Sequence, residues 1–264
     1  MSELWDQVAP FAGTTAVLAE HERALPQIDQ LCGPFWARLA LLTDERPPEQ
    51  LPTQVRAAEV TGTQVHPALD ADVRPHGQPP NRTGWDRLPR AAAPAQAGTS
   101  GRRLAAGIGA LAAGRLEAVP VSGSWRAEQL DGLLSELADL PALIIANIAT
   151  SALWGSHNAD SALRGYLGSG DHAGGPPPDW HVGHFVAIWG RIVGERGTLV
   201  AVADTYGVLG TNGRHLQPLP RLARALGANP PQPGRGLLVV VAPSDRAAVH
   251  AAADNVGLFT EFWD

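Results

Sequence analysis

The sequence predicts an α+β fold in a single domain over residues 1–264, on three observations. Apolar residues at helical spacing dominate the stretch before about residue 140. Short β-branched apolar runs, separated by Gly, Pro and Asp, concentrate after it. Strands and helices therefore group rather than alternate, which separates α+β from α/β. The reading divides the domain into a helical part, about 1–140 with a proline-rich loop at 66–100, and a β-sheet part, about 141–264.

The elements follow in order. Leu4, Trp5, Val8 and Phe11 fit one helical face within residues 2–20, interrupted by Pro10 and Gly13. Thr14 to about Leu25 continues as helix until Pro26. Cys32-Gly33-Pro34 opens an apolar helical run to Leu42, with Pro34 in the first turn, where proline is favoured. Prolines stud 45–100, so a short helix at Pro52–Val60 is followed by loop, partly mobile, of the kind that forms lids or binding loops. Thr99 or Ser100 can cap a helix over Gly101–Ala113. Glu117–Val121 reads as a strand, and Ser124 as the cap of a helix over Arg126–Ala138. Ala142–Ile148, His184–Trp189 continuing into Ile192-Val193, and Leu199–Ala203 read as strands, the last two forming a hairpin across Gly194–Gly197. Leu216–Leu226 reads as loop and helix, Gly236–Val241 as a buried strand, and Asp245–Val256 as a helix.

Composition narrows the function. The net charge of -6 argues against a nucleic-acid partner, which needs a basic face. All 20 basic residues are arginine, which removes Schiff-base and P-loop lysine chemistry. One cysteine excludes an intramolecular disulfide and Cys-rich metal sites. The chain shows no basic-then-apolar leader and no apolar run of ~18 residues, so a soluble, cytoplasmic protein without membrane contact is expected. Gly107-x-Gly109-x-x-Ala112 lies in a helical pattern with no strand before it, so no nucleotide or other organic cofactor is expected.

Three residues carry chemistry at element ends. Cys32 stands at a helix N-terminus, where the dipole stabilises a thiolate and free N–H groups, including that of Gly33, can bind an oxyanion. His184 follows Gly183 at the start of an apolar strand, at a sheet edge suited to a general base. Asp204 ends the neighbouring strand and can orient the imidazole, completing a Cys–His–Asp triad.

The order Cys32-Gly33, Gly183-His184-Phe185-Val186 and Asp204 resembles the papain-like cysteine peptidases, most closely the double-glycine leader peptidases and their bacterial relatives. The whole chain also resembles an uncharacterised actinobacterial family. The resemblance implies a papain-like fold with the nucleophile helix packed on an antiparallel sheet. It also implies a glutamine ahead of the cysteine as oxyanion donor. Such a glutamine usually stands six residues before the cysteine; here that position is Pro26, and Gln27 is the nearest match, with Gln30 as the alternative. The segment Asp171–Trp180 would overhang the cleft, with Trp180 covering the site and Trp180, Gly183 and Gly33 as substrate-binding residues.

The expected function is thus acyl transfer from a peptide or small-molecule substrate through a thioester on Cys32, as a peptidase or amidase. A transpeptidase or amide synthase of natural-product biosynthesis would use the same residues. Two rivals come from other classes. His181 and His184 have metal-ligand spacing, with His157, Asp160, Asp171 and His172 upstream, but alternation along a strand would turn the pair to opposite faces. The 8 tryptophans could instead line the groove of an inactive papain-like binding module. His215 reads as a structural polar residue.

Overall fold

The computed structural model describes residues 4–68, 74–227 and 235–263. It is an α+β fold built on one antiparallel sheet. The strands are β1 (Ala9–Pro10), β2 (Glu117–Val121), β3 (Leu143–Ala149), β4 (Gly183–Val193), β5 (Thr198–Ala203), β6 (Arg214–Pro218) and β7 (Leu237–Val241). Their order is β2-β7-β3-β4-β5-β6, with β1 added against the far end of β4. The helices are α1 (Thr14–Ala24), α2 (Cys32–Ala40), α3 (Gln54–Val60), α4 (Gly101–Leu111), α5 (Ala127–Glu136), α6 (Asp160–Ser169), α7 (Leu219–Leu226) and α8 (Arg246–Asn255).

Strand alternation assigns the side chains to two cores. Ile144, Ala146, Val186, Ile188, Val200 and Val202 face α5, α7 and α8. Leu143, Ile145, Phe185, Ala187, Leu199 and Ala201 face α2, α4 and α6. Helices thus cover both faces of the sheet, whereas the sequence suggested a helical half laid on a sheet. Burial on both faces is why these strands read as unbroken apolar runs rather than as alternating ones.

Several expected elements differ. The first segment is a 3₁₀ turn at Trp5–Gln7 and the two-residue β1, because Pro10 stops any helix and Ala9 and Pro10 instead pair with Arg191 and Gly190. Arg214–Pro218, expected to be a loop from Leu216, is a strand paired along β5. Helix α6 fell in a stretch given no element. Ser100 caps α4, its Oγ accepting the Arg103 N–H. Ser124 does not cap α5: the residue before that helix is Arg126, whose N–H is taken by Gln129 Oε1, and Ser124 donates to the same oxygen.

Part of the proline-rich segment is packed, not overhanging. Trp85 and Leu88 are buried against Ile28, Leu31, Val55 and Val65. The expected mobility of this loop falls partly on residues 69–73, outside the described residues. The described residues contain no helix long and apolar enough to cross a membrane.

Candidate active site

Helix α2 begins at Cys32 because the preceding turn cannot extend it: Gln30 has a left-handed φ of 66° and Leu31 N donates to Ile28 O. Its indole-bearing face then anchors the helix to the sheet. Trp36, fully buried, donates Nε1–H to the Phe185 carbonyl at 3.0 Å, one residue beyond His184. The cysteine at the first turn is thereby fixed against the start of β4.

The three triad candidates meet there. The Cys32 thiol is hydrogen-bonded to the His184 side chain and receives the N–H groups of Phe185 and Gly33. His184 Nε2–H donates to Asp204 Oδ1 at 3.0 Å, leaving Nδ1 as the ring nitrogen for the thiol. His184 and Asp204 are both buried, while Cys32 is partly exposed. The residues come from the start of α2, the second position of β4 and the residue after β5, so the sheet register helps set their spacing.

Burial and the partners act on these groups in opposite directions. Burial pushes the Cys32 thiol up, but the hydrogen bond and charge of His184, with the two N–H groups, outweigh it and hold the thiol below its ordinary value. Burial pushes His184 down, but the Asp204 carboxylate and then Cys32 outweigh it and raise it to about 10. Burial likewise opposes ionisation of Asp204, yet His184 and His215 hold its carboxyl well below the usual carboxylate range.

Asp204 is held from every side. Thr205 N–H donates to Oδ1 at 2.6 Å. His215 Nε2 lies 3.8 Å from Oδ2. Gln217 donates its amide to His215 Nδ1 at 3.1 Å and to the Trp154 carbonyl at 2.9 Å, so the His215 proton sits on Nε2, facing Asp204. His21, kept neutral chiefly by burial, donates Nε2–H to the Asp204 carbonyl at 2.5 Å and stacks on Trp36. Asp204 N–H in turn reaches Gly213 O, in a turn where Gly213 has φ of 74°.

A thiol, an imidazole and a carboxylate thus stand in one contact chain, a constellation suited to covalent acyl chemistry. The chain belongs to the DUF6885 family. That family is described as one of unknown function, and its profile matches residues 11–264. No curated protein matches the sequence.

The other expected site residues of this DUF6885 chain fall as follows. Gln27 is buried; its Oε1 accepts from Thr205 Oγ1 at 2.5 Å and its Nε2 donates to the Tyr206 hydroxyl at 2.8 Å. One amide hydrogen of Gln27 is not used in these two bonds. Gln30 is committed elsewhere, with Nε2 on the His66 carbonyl and Oε1 on the His66 N–H, both at 2.8 Å. Trp180 lies edge-on to His184 at 4.8 Å between centroids, its carbonyl held by Thr150 Oγ1. Gly183 is exposed and passes under the Arg235 guanidinium, where a Cβ would stand 2.7 Å from Nη1. His181 is exposed and His184 is turned to Asp204, so the HxxH pair does not converge; among the described residues no three His, Cys, Asp or Glu side chains form a metal-sized cluster.

Sequence reasoning gave no role to Thr205 and Tyr206, although they directly follow Asp204. The Thr205 proton goes to Gln27, so its oxygen lies as a second acceptor 3.2 Å from His184 Nε2. Tyr206, fully buried, stacks on the His184 ring at 6.2 Å with the planes 12° apart. Their adjacency to an acid at a strand end was the available signal. A cavity of about 380 Å³, with Leu4, Trp5, His157, Arg214 and His215 in its lining, is lined by neither Cys32 nor His184.

Proposed function

We propose that this protein is a cysteine-dependent acyl-transfer enzyme of papain-like arrangement, acting on an amide or thioester. The observation that supports this best is the convergence of Cys32, His184 and Asp204, from three separate elements, into one hydrogen-bonded chain with the thiol lowered and the imidazole raised.

In this reading the Cys32 thiolate attacks the substrate carbonyl carbon and His184 holds the thiol proton. The tetrahedral oxyanion takes N–H groups at the start of α2 and the remaining Gln27 amide hydrogen. On collapse the leaving amine or thiolate departs with the proton from His184, and Cys32 carries a thioester. Water, activated by His184, releases an acid and restores the thiol; an amine in its place forms a new amide. Asp204 keeps Nε2–H fixed and balances the imidazolium charge. Trp180 shields the pair from bulk water, which strengthens it. A lone functional thiol suits a reducing compartment, in line with a cytoplasmic location.

The test is alkylation by iodoacetamide across pH, read by intact mass. Expected is a single fast adduct at Cys32 with a rate midpoint well below ~8.5, the free-thiol value. The His184→Ala variant should lose that low midpoint. A wild-type midpoint near the free-thiol value would overturn the reading.

A further inference from the structure

Arg235 precedes Gly236 at the entry to β7, and two independent contacts fix its guanidinium. Nη1 donates to Asn147 Oδ1 at 3.0 Å. The same group lies over Gly183, where a Cβ would stand 2.7 Å from Nη1, 3.1 Å from Nη2 and 3.3 Å from Cζ. The guanidinium thus spans the space that the missing side chain leaves, at a position that is itself exposed.

The strand register carries this position to the nucleophile. Asn147 pairs with Phe185, and Ala149 with Gly183, across β3 and β4. Side chains alternate along a strand, so Asn147 and a Cβ at Gly183 share the face of Leu143, Ile145 and Phe185, which is the face covered by α2. Cys32, at the start of α2, takes the Phe185 N–H, and His184 lies between Phe185 and Gly183. Two positions on one strand span ~7 Å. The guanidinium therefore stands on the nucleophile's side of the sheet, within reach of a short substrate chain held at the thiol. Trp263 closes the same corner: its ring covers Gly236 and packs against the same core cluster as Cys32.

The chemistry of the group suits an anion. Arginine carries a permanent charge on a planar fork that matches a carboxylate. Burial draws this guanidinium partly out of water and below its ordinary value, and an ionic bond is stronger there than in bulk water. The partner at Nη1 is a neutral amide oxygen, which positions the fork without cancelling its charge. The reaction steps of the triad make no use of this cation.

We propose that Arg235 is a specificity residue that binds a carboxylate of the substrate. The substrate class is an anionic acyl compound whose carboxylate lies ~7 Å from the reacting carbonyl, on either the acyl or the leaving portion. The inference rests on the acyl-transfer reading above and specifies its substrate. A substrate lacking the anion forgoes a charge-assisted, two-pronged bond, so discrimination by ~10-fold or more is expected.

The experiment measures acylation of Cys32 by aryl esters, each rate normalised to that with 2-mercaptoethanol. Cys32 Sγ bonds to the acyl carbon, the C–O bond breaks, and the phenolate leaves with the bonding electrons; its absorbance gives the rate. Mono-4-nitrophenyl adipate, with a carboxylate on the acyl portion, is compared with its methyl ester. 4-Acetoxybenzoate, with a carboxylate on the leaving portion, is compared with its methyl ester. Wild type is expected to favour the carboxylate form at least tenfold in one of the pairs, and the pair that responds assigns the portion. In Arg235→Gln that preference should fall at least tenfold. In Arg235→Lys, which keeps the charge and loses the fork, it should fall less. No preference in either pair would overturn the proposal without any variant. So would a preference that survives intact in Arg235→Gln. Equal slowing of both members of a pair in Arg235→Gln would overturn it too, by making Arg235 a tie between β3 and β7 alone. Failure of every ester to acylate Cys32 would instead sink the acyl-transfer reading, and this inference with it.

Discussion

His184 gives its Nε2–H to Asp204 Oδ1 at 3.0 Å and so turns Nδ1 toward Cys32. The two nitrogens thus have separate duties, and the carboxylate decides which is which. In Asp204→Asn the amide oxygen would have to keep the Oδ1 place, where Thr205 N–H also donates, which puts the NH₂ group against His215 Nε2. The imidazolium loses its counter-charge either way. The expected result is a fall of about 10²–10⁴-fold in turnover of an acyl substrate. The alkylation midpoint of Cys32 should move up toward the free-thiol value. An unchanged midpoint would show that Asp204 does not act through His184.

The same pair sets a pH signature in stability. His184 is raised from 6.5 to about 10, so its contribution is full below 6.5 and is lost as pH rises through about 10. Cys32 is lowered from 9.0, so its contribution is full above 9.0 and is lost as pH falls through the folded value. Below 9.0 the two slopes oppose each other; above it only the loss from His184 remains. In Cys32→Ala the opposing slope is gone, while Asp204 still raises His184. Thermal midpoints measured from pH 6 to 10 should therefore fall more steeply between 6.5 and 9.0 in Cys32→Ala than in wild type. Parallel curves would contradict the ionised pair.

What could be read from the residues, and what could not, follows from where each interaction is made. Strands β3, β4 and β5 were legible because long apolar runs such as Leu199–Ala203 have few other uses. Cys32, His184 and Asp204 were legible because each is a reactive residue at the end of such an element. Strand β6 was hidden by its polar content: His215 and Gln217 lie buried within it, satisfied by Asp204 and Trp154, which no local pattern reveals. Helix α6 was hidden because Asp-Ser-Ala-Leu-Arg-Gly-Tyr-Leu-Gly-Ser carries two glycines and few apolar residues. Gln27 and Gln30 are equivalent as residue types, and only long-range bonds separate them. One meets Thr205, 178 positions away, and the other meets the backbone of His66.

His215 belongs to this long-range set, and its replacement isolates its effect on the acid. His215→Phe keeps an aromatic ring in a buried strand position but removes the Nε2–H beside Asp204 Oδ2 and the acceptor for Gln217. Unpaired buried groups of this kind cost about 1–3 kcal/mol. Because His215 helps hold Asp204 below the carboxylate range, the carboxylate should become more basic. The Cys32 alkylation midpoint should move far less than in Asp204→Asn, since the carboxylate stays ionised and keeps the closer Thr205 N–H and the His184 bond. A shift as large as that of Asp204→Asn would mean that His215 acts by positioning the whole β6 edge.

Gly213 supplies the last test, because it holds the acid through backbone alone. Its carbonyl accepts from Asp204 N–H, and its φ of 74° is one that a side chain rarely adopts. A Cβ there would also stand 3.0 Å from the Asp204 carbonyl and 3.1 Å from His21 Cε1. Neither neighbour yields easily: the carbonyl is backbone, and His21 is stacked on Trp36 with its Nε2–H given to that same carbonyl. Gly213→Ala is therefore expected to cost about 1–3 kcal/mol in chemical denaturation, from left-handed strain alone. It should also slow Cys32 alkylation at neutral pH, because the turn that carries Asp204 must shift. Gly183→Ala is the matched comparison: the three atoms nearest its Cβ all belong to the Arg235 guanidinium, whose Nη1 donates to Asn147 Oδ1, rather than to backbone, and it has no left-handed φ, so it should cost less. Equal losses in the two variants would show that the 213 turn does not set the place of Asp204.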